Sequence, residues 1–343
     1  MKIRENSALC FDDVLLVPQY FDGKSRKDID LSTTIAGIKL RVPFICANMS
    51  FCETYVCLEL DRLGAMGVVH RNNDPSEQYH IVNDILDKEP CAKFGIAVGL
   101  SDWESRLKHL YKIIEHNFKN ILIVLDVAHA DQKQYWETVK QIKDLYPDIH
   151  LCIGTFGHKP KEFDKYRGDS NICWRTGVGS GNVCSTRIAT GCGMPTFQAI
   201  LELGHPSGGI VADGGIKNSG DVVKSLSVGA SACMMGRMFA GSQEGVGPKI
   251  KDDRTGKTYK TYVGNASAAG KRSSGLFEGY IEGVESLVEY SGPISETVRR
   301  LEEGVRSGFS YCGALNLKEL QEKAEFVKIS GAGMKESLPH GIL

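Results

Sequence analysis

Residues Ile210–Gly241 read IVADGGIKNSGDVVKSLSVGASACMMGRMFAG, and this stretch decides the fold class. It begins and ends with short apolar runs, Gly209–Ala212 and Ala232–Met235. Continuous apolar runs are typical of parallel strands that are covered on both faces. Between them lies an amphipathic segment that Ser219 opens and Gly229 closes, as expected for a capped helix. The stretch therefore predicts a strand–helix–strand unit of a parallel sheet.

The same alternation of apolar runs and amphipathic segments extends along the chain, for example in the helical patterns of 102–116 and 131–146. A doubly wound sheet would need a G-x-G-x-x-G turn after its first strand, but Asn48-Met49-Ser50 follows that strand here. The pattern predicts a (β/α)₈ barrel of the TIM type in one domain over residues 1–343. The eight predicted strands are Val42–Ala47, Gly67–His70, Phe94–Val98, Ile121–Val127, His150–Gly154, Ile172–Thr176, Gly209–Ala212 and Ala232–Met235.

One region departs from this alternation. Residues 241–293 follow the last predicted strand and are rich in Gly, Ser and Lys. Lys249–Val263 predicts a hairpin with its turn at Thr255-Gly256. Long irregular segments on a barrel are usually functional, so we interpret 241–293 as a mobile flap rather than a disordered surface insertion.

Composition excludes several classes of protein. The 343 residues carry 41 basic and 42 acidic side chains, so charge does not favour nucleic-acid or membrane binding. No apolar run is long enough to span a bilayer, and the N-terminus lacks the pattern of a secretory signal. The 11 cysteines are too sparse and too irregularly spaced for a disulfide framework. We therefore expect a cytoplasmic protein with reduced cysteines.

Residues that follow barrel strands form the active sites of this fold class. The seventh predicted strand ends in Asp213-Gly214-Gly215, and the eighth ends in Gly236-Arg237. Glycines at these two ends let backbone N–H groups approach a phosphate, and Asp213 is a suitable acceptor for ribose hydroxyls. Glycines that merely form tight turns are the alternative. The pairing of the two ends favours a phosphorylated ligand.

The sixth predicted strand is followed by GVGSGNVCSTRIATG, residues 177–191. The glycines predict a tight loop at the catalytic face, with Cys184 on the loop and not on a strand. A thiol in such a place can act as a nucleophile, and Thr186 and Arg187 are close enough in sequence to share its site. The residues alone leave packing and nucleophilic catalysis about equally open for Cys184.

This loop resembles the catalytic cysteine loop of the IMP dehydrogenase/GMP reductase family. The resemblance extends over nearly the whole chain. It implies that Cys184 attacks C2 of a purine nucleoside monophosphate, with hydride exchanged between C2 and a nicotinamide cofactor. The other matching stretches are CFDDVLLVP (Cys10–Pro18), PFICANM (Pro43–Met49), VVHRN (Val68–Asn72), LDVAHA (Leu125–Ala130), Ile210–Gly241 and KAEFVKISGAG (Lys323–Gly333).

The same resemblance implies roles for individual residues and an assembly. It implies a homotetramer and K⁺ held by backbone carbonyls of Gly179, Gly181 and Cys184. The catalytic residues would be Cys184, Thr186 and Glu282. The nucleotide would contact Asp213, Gly214, Gly215, Gly236, Arg237, Gly264, Asn265 and Gly283. The cofactor would contact Asp126, His129, Arg71, Ala266 and Ser267.

Within the family, the flap favours a reductase. No Arg-Tyr pair occurs in Gly264–Glu282, whereas the dehydrogenase branch uses such a pair to activate water. A Glu282–Thr186 relay would instead pass a proton to departing ammonia. A single helical crossover at Asn72–Lys93 leaves no room for an inserted regulatory domain of the cystathionine-β-synthase type. We therefore predict a GMP reductase that converts GMP to IMP with NADPH.

Other features keep the alternatives open. FDDVLLVP and KAEFVKISGAGMKES resemble bacterial dehydrogenases, which convert IMP to XMP with NAD. Ser50 and Thr155-Phe156 stand where many members carry Asp and Asn-Val. The alternatives are therefore an IMP dehydrogenase and a non-catalytic purine-nucleotide-binding paralogue. A phosphate-binding barrel isomerase would have no need of Cys184.

Overall fold

The computed structural model describes residues 1, 3–264, 267 and 283–339, and eight parallel strands close into a barrel. Three short strands precede the barrel: β1 (Val14–Leu16), β2 (Thr33–Ile35) and β3 (Ile38–Leu40). The barrel strands are β4 (Phe44–Cys46), β5 (Met66–Val69), β6 (Phe94–Val98), β7 (Ile121–Asp126), β8 (His150–Phe156), β9 (Ile172–Thr176), β10 (Ile210–Asp213) and β11 (Ala232–Met235). Pairing of β11 with β4 completes the ring, so the predicted barrel is confirmed.

Burial explains why the apolar runs form strands. All five residues of β6 and of β9 are buried, as expected for strands covered by helices outside and packed against each other inside. Both of these strands have their predicted bounds. β4 is shorter than its prediction, although Pro43 O and Ala47 N–H, just outside it, also form hydrogen bonds with β11. Truncating a buried side chain such as Phe94 to alanine would cost about 3–5 kcal/mol.

Helices alternate with the barrel strands. The crossover between β5 and β6 is a single helix, as predicted. The helices are α1 (Thr54–Arg62), α2 (Pro75–Lys88), α3 (Trp103–Ile114), α4 (Lys133–Leu145), α5 (Phe163–Tyr166), α6 (Thr186–Thr190), α7 (Thr196–Leu203), α8 (Ser219–Ser227), α9 (Arg237–Ala240), α10 (Ile294–Tyr311), α11 (Leu317–Lys323) and α12 (Gly331–Glu336). Short 3₁₀ turns lie at Phe11–Asp13, Arg26–Asp28 and Glu115–Asn120.

Capping residues set where these helices begin. Asp74 caps α2 by accepting the N–H of Glu77, and Pro75 occupies the first helical position, where its missing N–H costs nothing. The helix α8 starts at Ser219, as predicted, but its N-cap is Asn218 and not Ser219, because Asn218 Oδ1 accepts the N–H of Asp221. Asparagine is an equally good cap, and it lies one residue earlier.

The region after β11 contains more regular structure than the sequence predicted. The predicted hairpin is confirmed as β12 (Lys249–Lys251) and β13 (Thr258–Val263), with Gly256 at φ +70° in the turn. A third strand, β14 (Glu285–Glu289), pairs antiparallel with β13 and was not predicted. This three-stranded sheet stands beside the carboxyl ends of the barrel strands. Among the described residues, no helix combines the length and apolar character that crossing a membrane would require.

Candidate active site

A cavity of about 850 Å³ opens at the carboxyl ends of the barrel strands. Residues that follow β4, β5, β7, β9, β10 and β11 line it, together with residues of the three-stranded sheet. Its volume falls in the range of small-molecule sites, about 300–1,000 Å³. The predicted glycine ends of β10 and β11 meet the predicted cysteine loop in its wall.

The loop after β9 brings Cys184 to this cavity. Gly177 has φ +122°, and a Cβ there would lie 1.7 Å from the carbonyl oxygen of Asp213, so only glycine fits. The side chain of Cys184 is exposed, and its thiol donates to Thr186 Oγ1 at 3.1 Å. An antiparallel bridge between Cys184 and Gly283 ties the loop to the start of β14. The cysteine therefore faces the cavity and is not core packing.

We call the part of the cavity between β10, β11 and the cysteine loop the glycine end. Gly214 and Gly215 have φ +80° and +77°, a left-handed conformation that turns the chain after β10. Arg237 is exposed, and its Nη1 donates to Asn182 Oδ1 at 3.0 Å. Within the described part of the chain, no carboxylate lies in salt-bridge distance of Arg237. The glycine end thus offers backbone donors and one cation to an anionic group.

One member of the glycine end, Tyr262, was not predicted from the sequence. Its hydroxyl lies against the chain at Gly236, where a Cβ would come within 2.4 Å of it. Burial raises the pKa of the Tyr262 phenol, so the hydroxyl remains a neutral hydrogen-bond donor. Lys260 and Tyr262 are both buried, because they share one face of β13. The stretch TYKTYV contains no signal for this, because a lysine shares the face of Tyr262 and the more apolar set, with Tyr259, lies on the other face.

A second part of the cavity carries charged side chains, and we call it the charged end. Asp126, at the end of β7, accepts from Arg175 Nη2 at 2.6 Å and from Arg71 Nε at 3.2 Å. Arg71 also donates to the Asp126 carbonyl at 3.3 Å. The sequence predicted Asp126 and Arg71 for this site but missed Arg175. A lone arginine in the apolar strand ICWRT was the available signal.

The two carboxylates of the cavity have opposite pKa shifts. Burial raises the pKa of Asp126, but the positive charges of Arg175 and Arg71 outweigh it and hold this pKa at about 2. Burial raises the pKa of Asp213 to about 6, because Arg175 Nη1 is more distant at 3.7 Å and the negative Asp126 opposes ionisation. Asp126 is therefore a fixed negative charge, whereas Asp213 changes charge near neutral pH.

The other predicted contacts are placed unevenly. Gly264 and Gly283 line the cavity. Ser267 is buried, and its N–H donates to Gly264 O at 2.9 Å. His129 is exposed and is not part of the cavity wall. Glu282, Asn265 and Ala266 lie outside the described residues.

The residues present fit a nicotinamide cofactor at the charged end. Arg175 is buried and lines the cavity, and its Nε has no hydrogen-bond partner in the described ranges. A buried donor of this kind is costly unless a ligand or water satisfies it. The predicted cation site is less distinctive, since the carbonyl of Gly181 already accepts the N–H of Cys184 at 3.0 Å. Binding of K⁺ by Gly179, Gly181 and Cys184 stays a prediction.

Comparison with known proteins gives relatives of one activity. The chain is 28% identical to the inosine-5'-monophosphate dehydrogenase of Methanocaldococcus jannaschii, covering 99% of this chain and 96% of the relative. It is 38% identical to the enzyme of that name from Aquifex aeolicus over 76% of this chain and 54% of the relative. The enzyme of that name from Halalkalibacterium halodurans is 32% identical over 82% of this chain and 59% of the relative.

These names overturn the prediction of a GMP reductase. Eight of the relatives found, including these three, are named inosine-5'-monophosphate dehydrogenase, and none of these eight is named a reductase. The prediction was wrong because it relied on the missing Arg-Tyr pair of Gly264–Glu282 and gave less weight to the dehydrogenase-like stretches FDDVLLVP and KAEFVKISGAGMKES. The family model described as "IMP dehydrogenase / GMP reductase domain" matches residues 8–340. The chain therefore belongs to the IMP dehydrogenase/GMP reductase family.

Proposed function

We propose that the protein is an IMP dehydrogenase, which oxidises C2 of inosine 5'-monophosphate to give xanthosine 5'-monophosphate. The observation that carries this proposal is the position of Cys184. Its exposed thiol lies in the wall of the cavity that contains both the glycine end and the charged end, 3.1 Å from the Thr186 hydroxyl. A nucleotide anchored by its phosphate at one end would present its base to the thiol and, beyond it, to the other end.

Nucleotide binding is assigned to the glycine end. Backbone N–H groups at Gly215 and Gly236, the Arg237 guanidinium and the Tyr262 hydroxyl would hold the phosphate. Asp213 would accept the ribose hydroxyls. The remaining predicted contacts, at Gly214, Gly264, Asn265 and Gly283, belong to the same proposal.

The chemistry begins at the cysteine. The Cys184 thiolate adds to C2 of IMP, and hydride leaves C2, so that a thioimidate joins the sulfur to the purine. A nicotinamide cofactor, when bound, supplies the hydride acceptor. Water then adds at C2, the sulfur leaves, and the thiol is restored with release of the xanthine nucleotide. Covalent catalysis thus divides one difficult oxidation into two steps.

The second step needs a group that takes a proton from water. No Arg-Tyr pair occurs in Gly264–Glu282, so this chain needs another base. Among the described groups, the Thr186 hydroxyl lies next to the sulfur. We assign Thr186 and Glu282 to this role: the carboxylate would accept the proton that the hydroxyl relays from water. This replaces the predicted relay to ammonia.

Dehydrogenation also changes the cofactor assignment. The reaction needs an oxidised acceptor, so NAD⁺ replaces the NADPH that accompanied the reductase prediction. Arg71 is engaged with Asp126 inside the cavity, which supports a role for Arg71 at the nicotinamide half and not at an additional phosphate. We keep Asp126, Arg71, His129, Ala266 and Ser267 as proposed cofactor contacts. A single catalytic domain without an inserted regulatory domain, activation by K⁺ and a homotetramer complete the proposal.

An absorbance assay of the purified protein tests the proposal. The protein is supplied with IMP and NAD⁺, and in a parallel reaction with GMP and NADPH, each with and without K⁺. We expect NADH to form in the first reaction and no NADPH to be consumed in the second. The proposed function would be contradicted if only the reaction with GMP and NADPH showed turnover, or if neither reaction did.

A further inference from the structure

Arg106 is a buried charge outside the cavity that neither the fold nor the proposed chemistry explains. It lies on α3 with 4% of its surface exposed. Its Nε donates to Asp102 Oδ2 at 2.6 Å, and its Nη1 donates to Gln78 Oε1 at 3.1 Å. Its Nη2 donates to two backbone carbonyls, those of Asn73 at 2.7 Å and Arg71 at 3.2 Å. The guanidinium thus has four acceptors in four different residues.

These acceptors join the ends of two neighbouring barrel strands. The Arg71 and Asn73 carbonyls belong to the loop after β5, and Asp102 belongs to the loop after β6. Asp102 Oδ1 accepts the N–H of Gly99 at 2.8 Å, so the carboxylate bridges Arg106 to the tip of β6. Gln78 Nε2 donates to the His70 and Ala97 carbonyls at 2.9 Å, which ties the two strand ends a second time.

The tied loops hold the side chain of Arg71 in the cavity. A Cβ at Gly99 would lie 3.0 Å from Arg71 Nη1, so the β6 tip packs directly against the guanidinium. From there Arg71 Nε and Nη2 reach Asp126, which in turn receives Arg175. A continuous series of contacts therefore leads from Arg106 to the charged end, although Arg106 itself does not line the cavity.

We propose that Arg106 is a positioning residue for the cofactor half of the site. Its fork fixes the backbone at Arg71, and Arg71 then fixes the Asp126 carboxylate. The proposal rests on the proposed function, because it assigns the charged end to the nicotinamide cofactor. A merely structural arginine would lower stability and affect both substrates equally. A positioning arginine affects the affinity for one of them.

Steady-state kinetics with IMP and NAD⁺ separate these roles. In Arg106→Lys the ammonium group can still pair with Asp102. The planar guanidinium that donates to the Arg71 and Asn73 carbonyls is lost. We expect KM for NAD⁺ to rise roughly ten-fold or more, since small displacements of positioning groups have effects of this size. KM for IMP should change less than about two-fold, and IMP should protect Cys184 from alkylation as in the unmodified protein. Arg106→Met, which also removes the charge, tests the same difference between KM for NAD⁺ and KM for IMP.

Arg306→Met is the matched control. Arg306 also donates to a backbone carbonyl, that of Ile29, and pairs with Glu302, but none of these residues lines the cavity. The Arg306→Met substitution should lower the melting temperature and leave KM for IMP and KM for NAD⁺ unchanged. If the unmodified protein turns over IMP and NAD⁺ while Arg106→Lys changes both KM values equally or neither, the positioning role is wrong. An unmodified protein without turnover overturns the proposed function, and this assignment with it.

Discussion

The glycine end and the charged end of the cavity consist of different chemical groups. The glycine end consists mostly of backbone: Gly214 and Gly215 turn the chain, and Gly236 lies under the Tyr262 hydroxyl. The charged end consists of side chains, with Asp126 held between two arginines. Backbone donors suit a phosphate, which every purine nucleotide carries. An ion-pair network offers a fixed arrangement of charge, including the Asp126 carboxylate, to a nicotinamide ring that is cationic in NAD⁺.

Each end is also tied to the barrel by one buried cation. Arg106 donates to the Arg71 and Asn73 carbonyls beneath the charged end. Lys260 Nζ donates to the Ser242 and Gly245 carbonyls behind the glycine end. Burial lowers the pKa of Lys260, as expected for an ammonium group without a carboxylate partner. The two ends are connected through Arg175, which pairs with Asp126 and with Asp213. We predict that changes at either end affect mainly one substrate, except at Arg175 and at the nucleophile Cys184.

The largest effect is expected for Cys184→Ala. The substitution removes the sulfur that would bond to the purine, so turnover should fall by roughly 10³-fold or more. Nucleotide affinity should persist, because the phosphate contacts remain. Equilibrium titration with IMP checks the binding, and the NADH assay checks the rate. A variant with near-normal turnover would remove covalent catalysis from the account.

Next in size is Arg237→Gln, which tests the glycine end. Losing a charge-assisted hydrogen bond to phosphate should raise KM for IMP about ten-fold. KM for NAD⁺ should remain unchanged, because Arg237 contacts Asn182 and no residue of the charged end. Measuring both KM values in one buffer distinguishes this result from general damage. An equal rise in both values would break the separation of the two ends.

A smaller effect in the same direction is expected for Lys260→Met. The substitution removes the contacts to Ser242 and Gly245 and loosens the strand that carries Tyr262. KM for IMP should rise roughly five-fold, with little change for NAD⁺. Lys257→Met is the control, since Lys257 pairs with Glu289 at the surface of the same sheet. If both variants behave alike, the buried ammonium has no special role.

The smallest effect concerns pH. The pKa of Asp213 is raised to about 6, so this carboxylate forms as the pH rises from 5 to 7. An ionised carboxylate is the better acceptor for ribose hydroxyls, and KM for IMP should fall about two- to five-fold over this range. The nucleotide phosphate also ionises with a pKa near 6. Asp213→Asn in the same buffers removes only the protein's part, and an unchanged pH profile would exclude Asp213.

Local patterns in the sequence were sufficient to predict the barrel and the glycines of the glycine end, but not Tyr262. A strand that is buried on both faces is a continuous apolar run, and the ends of the run indicate the ends of the strand. For this reason β6, β9 and β11 have their predicted bounds. The glycines after β10 and β11 could be predicted to line the cavity, because the backbone freedom of a glycine depends on the residue itself and not on distant contacts. For the same reason the turn at Gly256 was correctly predicted, whereas the partner strand β14 was missed across the intervening segment.

The charged end depends on contacts between distant residues and was only partly predicted. Arg175 meets Asp126 across 49 positions of the sequence, and Arg71 meets it across 55. No local pattern specifies such a pair, because it forms only when the barrel brings the ends of β5, β7 and β9 together. Three of the four acceptors of Arg106, at Gln78, Arg71 and Asn73, were hidden for the same reason, whereas Asp102 is only four positions away.

The central claim is that a bond forms between Cys184 and the purine of IMP. Rapid acid quenching tests it directly: enzyme, NAD⁺ and IMP labelled with ¹⁴C in the purine are mixed, quenched during turnover, and the precipitated protein is counted. We predict that label precipitates with the unmodified protein, maps to the peptide that contains Cys184, and is absent from Cys184→Ala. Turnover without precipitated label, or label on another cysteine, would contradict the account.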